Sequence, residues 1–114
     1  MHEFSIAEAL VEQVEAVRQA NGGGRVVSVE VRVGDWRQVV PEILAGYFDH
    51  LTKGTSLEAA RIEIARVTTT ARCNSCDEVF TLDDVFLVCP ACGSPACDLL
   101  TGKELELIGL EVDD

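Results

Sequence analysis

The chain has 114 residues, 47% of them hydrophobic and 25% charged, the profile of one globular domain or of a small domain carrying a smaller module, neither disordered nor membrane-spanning. Nine basic residues against twenty acidic ones give a net charge of −11, a surface repelled by nucleic-acid phosphates and anionic membranes and suited to cations or basic partners. Aromatic residues make up only 5%, so the core must be built from Val, Leu, Ile and Ala, and a metal or disulfide staple would help so short a chain.

The first twenty residues carry Glu3, Glu8, Glu12 and Glu15 where a secretory signal would need a basic start and an apolar run. The longest uncharged stretch, Val85 to Cys97, holds two prolines and a glycine and does not suit a membrane helix. A cytoplasmic protein is expected, with cysteines serving as metal ligands or thiols rather than as a disulfide framework. Ser5 and Glu8 have the spacing of a capping box, so a helix is expected from Ser5. Its inner face would carry Ile6, Leu10, Val14 and Val17, widened by Ala9 and Val11, with Glu8, Glu12, Glu15 and Arg18 in solvent. Asn21-Gly22-Gly23-Gly24 ends it. Val27, Val29, Val31 and Val33 alternate with Ser28, Glu30 and Arg32 as a half-buried strand that stops at Gly34-Asp35.

Pro41 opens a second helix with Ile43, Leu44, Tyr47, Phe48 and Leu51 inward, closed by Lys53-Gly54-Thr55. From about Ala60 a second strand sets Ile62, Ile64 and Val67 around Arg61, Glu63 and Arg66. Beyond Thr68 regular patterning weakens, and it returns after Gly102, where Leu105, Leu107, Ile108, Leu110 and Val112 predict a closing strand bulged near Gly109. The expected fold is α+β: two helices on a small three-stranded mixed sheet, with an inserted zinc-ribbon-like module. Residues 1–68 and 103–114 would form the α/β body and 69–102 the module.

Cys73-Asn74-Ser75-Cys76 and Cys89-Pro90-Ala91-Cys92 are two C-x-x-C pairs with twelve residues between them. The two-residue gap lets both sulfurs of a pair face one ion while the turn's amides donate to the thiolates. Pro90 presets its turn, and Gly93 can take the positive φ needed after the second sulfur. Two such knuckles close a tetrahedral site suited to structural zinc, with rubredoxin-like iron as the alternative for the same four sulfurs. Phe80, Leu82, Val85, Phe86 and Leu87 would form the hairpin that brings the knuckles together. Cys97 is a fifth thiol, expected as a small buried side chain rather than a ligand.

Met1-His2-Glu3 precedes the expected first helix. A histidine at position 2 is ordinarily incidental, yet the terminal amine, the His2 backbone nitrogen and the imidazole Nδ1 can chelate one ion in fused five- and six-membered rings. With a fourth donor from Glu3 or another group they complete a square, which favours Ni(II) or Cu(II) over zinc. Histidine is too large a neighbour for efficient removal of Met1, so the amine stays in place. A helix N-terminus repels cations, and Glu3 and Glu8 offset that.

With these two sites the chain resembles the hydrogenase maturation nickel metallochaperone family along its whole length. The resemblance rests on Met1 through Ala7, Val40-Pro41-Glu42-Ile43-Leu44, Phe48 through Thr55, the two knuckles with Cys92-Gly93-Ser94, and Gly102-Lys103-Glu104-Leu105 before the closing strand. It implies nickel at His2 and Glu3, to which the terminal chelate adds Met1, structural zinc on Cys73, Cys76, Cys89 and Cys92, and a partner GTPase. The client it implies is the hydrogenase large subunit, and some members serve urease as well. Asp35-Trp36-Arg37-Gln38 departs from the family's small residues after an Ile-Gly-Glu-like stretch; Trp36 and Arg37 would alter a partner surface, or Trp36 would serve the core. His50 has no motif match and is expected at the surface or the core edge.

A non-enzymatic nickel carrier is therefore the leading expectation, as a monomer or a homodimer. The alternative is a zinc-ribbon protein-interaction module without nickel transfer. Nucleic-acid binding is disfavoured because Arg72 is the only cation from the flank of Cys73 through Cys97. An enzyme is disfavoured because the sequence has no nucleophile–base signature, no phosphate loop and only two histidines.

Overall fold

The computed structural model describes residues 2–82 and 86–113. In chain order it runs α1 (His2–Ala20), β1 (Arg25–Gly34), a 3-10 turn (Asp35–Arg37), α2 (Pro41–Thr52), β2 (Arg61–Val67), β3 (Thr70–Cys73), β4 (Val79–Thr81), β5 (Cys97–Thr101) and β6 (Leu105–Asp113). The described residues form two three-stranded sheets, ordered β2-β1-β6 and β4-β3-β5. The α+β class, the two helices and the return of the final strand to the first sheet are as the sequence predicts. Among the described residues no helix is long and apolar enough to cross a membrane. Two compact units are present: Met1–Arg32 with Val39–Ala65 and Glu106–Asp114, and Val33–Gln38 with Arg66–Leu105.

The first unit is held by a dry apolar core. Ile6, Ala7, Leu10 and Val14 of α1, Leu44 and Phe48 of α2, and Val26, Val29 and Val31 of β1 are all buried. Burying a side chain such as Phe48 contributes roughly 1.5–3 kcal/mol. The stripe on α1 is narrower than its sequence suggests, because Ala7 takes the place expected of Ala9, and Val17 is exposed. On α2 Ile43 is exposed, while Thr52 is buried with its hydroxyl donating to the Phe48 carbonyl at 2.9 Å. In β1 the expected alternation holds at Val29, Val31 and Val33, but Ser28 is buried too, donating to Glu111 at 3.2 Å. Glu30 and Arg32, on the same face as Ser28, stay exposed, so the departure from period two is confined to the start of the strand.

Two expectations for α1 change. The helix begins at His2, so Ser5 lies within its first two turns rather than at the cap. The Val40 amide donates to Glu3 and ties this early start to the entry of α2. Glu15 and Arg18 are also not simply solvated. Arg18 Nη2 and Nε donate to Glu15 at 2.6 and 3.0 Å, and the Ser56 hydroxyl donates to the same carboxylate at 2.9 Å. The sequence hides this because Ser56 lies far along the chain, in the turn after α2.

Hydrogen bonds from Arg18 first, then from Ser56, hold the Glu15 carboxyl down to about 2. A depressed folded-state value contributes stability above the unfolded value of about 4.3, and that contribution is lost as pH falls through about 2. Glu15→Gln should therefore lower stability by about 1 kcal/mol at neutral pH, a modest figure because solvent screens the pair. The difference between variant and wild type, from paired thermal melts, should shrink steadily below about pH 4. A constant difference down to strong acid would contradict this network.

Candidate metal centre

The second unit is organised around β3. It pairs antiparallel with β4 through Ala71↔Phe80 and with β5 through Arg72↔Asp98 and Cys73↔Cys97. The central strand is flanked on both sides by the strands that adjoin the knuckles, while the hairpin expected from Phe80 to Leu87 includes residues 83–85, which lie outside the described residues. Phe80 does sit in β4, Phe86 is 71% exposed, and Val85 lies outside the described residues. At the base of this unit Gly102 has φ +117, and a Cβ there would meet the Thr69 hydroxyl oxygen at 2.5 Å. Its carbonyl accepts from the Trp36 amide at 3.0 Å, which leaves Trp36 half-buried at the 3-10 turn.

The two knuckles repeat one backbone pattern. The Cys73 carbonyl accepts from Asp77 at 2.9 Å and the Cys89 carbonyl from Gly93 at 2.8 Å. The Cys73 amide donates to Glu78 at 2.9 Å and the Cys89 amide to Ser94 at 3.0 Å. In both, the residue after the second cysteine is left-handed: Asp77 at φ 64 and Gly93 at φ 76. Gly93 was legible in the sequence; Asp77 was not, although aligning the two knuckles and noting that Asp tolerates this region would have found it. The Ser75 and Ser94 hydroxyls join the knuckles at 3.0 Å.

Ligand atoms of Cys73, Cys76, Cys89 and Cys92 all lie within 4.8 Å of one another. Across the knuckles Cys73 and Cys92 are 3.6 Å apart, and Cys76 and Cys89 are 3.7 Å apart. A tetrahedral ion with metal–sulfur bonds of about 2.3 Å sets its sulfurs about 3.8 Å apart, so the cluster has the size of such a site. Cys73 and Cys89 are buried while Cys76 and Cys92 are exposed. The Ser75 amide donates to Cys73 Sγ at 3.3 Å.

Ionisation of the metal-free cluster is uneven. Burial opposes charge on Cys73, but the amides of Cys76 and Ser75 and the thiols of Cys92 and Cys76 outweigh it and bring Cys73 down to about 6. The Glu78 amide favours a Cys76 thiolate, yet burial and the surrounding sulfurs of Cys89, Cys73 and Cys92 push it up to about 12. Cys92 is raised as well: the Ser94 amide favours its thiolate, and Cys73 and burial prevail. A first thiolate thus suppresses the others, and a cation placed among the sulfurs removes that penalty. Cys97 stands outside the four-sulfur cluster, half-buried on β5, with its thiol raised by burial first and then by the charge of Cys73.

At the other sequence-predicted site, His2 is exposed and Glu3 half-buried, both in the first turn of α1 rather than ahead of it. Glu3 Oε2 accepts from the amide of Val40, the residue capping α2, at 3.1 Å. That bond holds the Glu3 carboxyl below its ordinary range. Phe4 packs edge-on against Tyr47 with ring centres 5.2 Å apart, fixing the same turn against α2. Met1 lies outside the described residues, and among those described only the four cysteines form a cluster of three or more His, Cys, Asp or Glu donors. His50 is exposed on α2, in a cleft lined also by Phe4, Ile43, Gly46 and Tyr47.

The sequence profile of the family described as hydrogenase/urease nickel incorporation, metallochaperone, hypA matches residues 1–112. The chain belongs to this family. Relatives named hydrogenase maturation factor HypA include one from Roseiflexus sp. (strain RS-1), 43% identical over 100% of this chain and 94% of that protein. Another, from Geotalea uraniireducens (strain Rf4), is 40% identical over 99% of this chain and 100% of that protein. The solution structure of the Ni metallochaperone HypA from Helicobacter pylori matches with a TM-score of 0.70 at 23% identity, covering 98% of this chain and 97% of that one, so the fold is shared. As a member of the family the chain is a metallochaperone or maturation factor in nickel incorporation, not an enzyme.

The left-handed positions give a direct test. Nothing lies within 4 Å of a Cβ built on Gly93, so Gly93→Ala adds only backbone strain of about 1 kcal/mol. If the four cysteines hold an ion, Gly93→Ala should weaken its retention about fivefold in competition with a chromophoric chelator, whereas Asp77→Gly, which relieves the matching strain, should hold it at least as well. Equal loss in both variants would mean the knuckles do not tolerate change for reasons other than φ.

Proposed function

We propose that the chain binds Ni(II) as cargo at its amino terminus and delivers it during maturation of [NiFe]-hydrogenase, while Cys73, Cys76, Cys89 and Cys92 hold a structural zinc. The carrying observation is the placement of His2. It is exposed in the first turn of α1, where a main-chain nitrogen has no carbonyl four residues earlier to satisfy it. That nitrogen, the imidazole Nδ1 and the α-amine of Met1 are the three donors we assign, a set able to bind one ion in a single plane. With Oε2 engaged on Val40, Oε1 of Glu3 is the oxygen we assign as fourth donor.

The labour divides by coordination. Four sulfurs form a closed shell that keeps zinc and stabilises the second unit. A terminus offering few, partly main-chain donors holds nickel at the surface, from which a receiving site can take it. Nickel handling is assigned to residues 1–68 and 103–114 and zinc to 69–102. The partners assigned are the maturation GTPase and the hydrogenase large subunit, with urease maturation factors as further clients, all in the cytoplasm. The family's role in hydrogenase/urease nickel incorporation supports this reading.

Titration of untagged protein with Ni²⁺ should show a nickel site that weakens by about tenfold or more in His2→Ala and again when one residue is added before Met1. Zinc, at about one per chain, should be unchanged in both. The added residue leaves every side chain intact, so normal nickel affinity in that variant would overturn the amine–amide–imidazole arrangement. Normal affinity in His2→Ala as well would overturn the terminal site altogether.

A further inference from the structure

We propose that Cys97 is the redox partner of Cys73: hydrogen peroxide joins the two as a disulfide and so makes the module release its metal reversibly. This rests on the reading of the four cysteines as a metal site. The strand register supplies the geometry. Cys73 and Cys97 are direct partners across the antiparallel β3–β5 pair, so their side chains leave the same face of the sheet. The Asn74 amide donates to the Ala96 carbonyl at 2.8 Å, a bond that brackets the 73–97 position from one side. Cys73 and Cys97 therefore occupy a non-hydrogen-bonded pair, the class in which Cα atoms approach to about 4.5 Å and side chains stand closest. A disulfide accepts Cα separations of about 4.4–6.8 Å, so the backbone need not rearrange to admit one.

The burial of the sulfurs sets the order of events. Cys97 lies outside the four-sulfur cluster and is half-buried while Cys73 is buried, so of the two Cys97 is the one more open to a small oxidant. The Cys97 thiol rests against the second knuckle, 3.5 Å from the Ser94 carbonyl. After losing its proton to water, Cys97 attacks peroxide: the O–O bond breaks, a sulfur–oxygen bond forms, and hydroxide leaves. The Cys73 thiolate then attacks the oxidised sulfur, the S–S bond forms, and the S–O bond breaks with loss of a second hydroxide. Protons from solvent convert both hydroxides to water. Two electrons have passed from the two sulfurs to peroxide, and the ion has lost one of its four thiolates.

The test uses the full zinc-loaded chain treated with rising hydrogen peroxide. Zinc release is followed with a chromophoric chelator, and disulfides are mapped by mass spectrometry of unreduced peptides. The expected result is Cys73–Cys97 as the principal disulfide, zinc leaving in step with it, and recovery on adding dithiothreitol and Zn²⁺. Cys97→Ser, matched to wild type in zinc content and circular dichroism, should release zinc about tenfold more slowly or less. Cys97→Ala serves if the serine variant does not fold. Disulfides confined to Cys73, Cys76, Cys89 and Cys92, or equal release with and without Cys97, would overturn the proposal. A chain purified without metal would overturn the metal reading instead, and the disulfide map of that chain would still decide the pair.

Discussion

Four sulfurs whose ligand atoms all fall within 4.8 Å of one another cannot share negative charge without a cation among them. The second unit has little else to hold it. Its strands β3, β4 and β5 are four, three and five residues long, and the buried side chains they and the knuckles contribute are Ala71, Cys73 and Cys89. The sulfurs thus stand where a larger domain would place leucines. The first unit obeys a different physics: Phe48, Leu44, Val14 and the valines of β1 exclude water without help from an ion. One short chain therefore combines a unit stabilised by apolar area with a unit whose four clustered sulfurs are arranged for coordination, and an ion held there would act on the two unequally.

Much of this was legible because its signals are local. Helical spacing on α1 and α2, alternation in β1 and β2, and the paired cysteines each announce themselves within a few residues. What escaped the sequence depends on partners brought together from afar. The start of α1 at His2 is tied to Val40, and the Ser5–Glu8 spacing, a sound local cue, is overruled by that contact. Glu15 reads as a solvated acid until Ser56 arrives beside it. β3 and β5 are too short and too polar, with Thr70, Arg72 and Asp98, to show a hydrophobic period, yet β3 is the axis of its sheet.

Glu3 carries two obligations at once. Its carboxylate accepts the Val40 amide at the entry to α2, and as a nickel donor it would face the terminus with its other oxygen. Pulling the carboxylate fully onto a metal would leave the Val40 amide without this acceptor. On the proposed nickel site, occupancy of the terminus and the seating of α2 would be coupled through this one side chain, beside the Phe4–Tyr47 contact that joins the two helices. This coupling lies within the first unit and needs no motion of the second.

The alternation of burial within each knuckle has a kinetic meaning. Cys73 and Cys89 are enclosed, whereas Cys76 and Cys92 face water. An ion bound by all four would show solvent a single edge of its tetrahedron, the one spanned by the two exposed sulfurs. A competing thiol or chelator must begin there, displacing an outer sulfur while the inner two still hold, so exchange proceeds as a stepwise handover rather than by dissociation into water. A site can in this way be tight at equilibrium and still open to a ligand that arrives from the correct side.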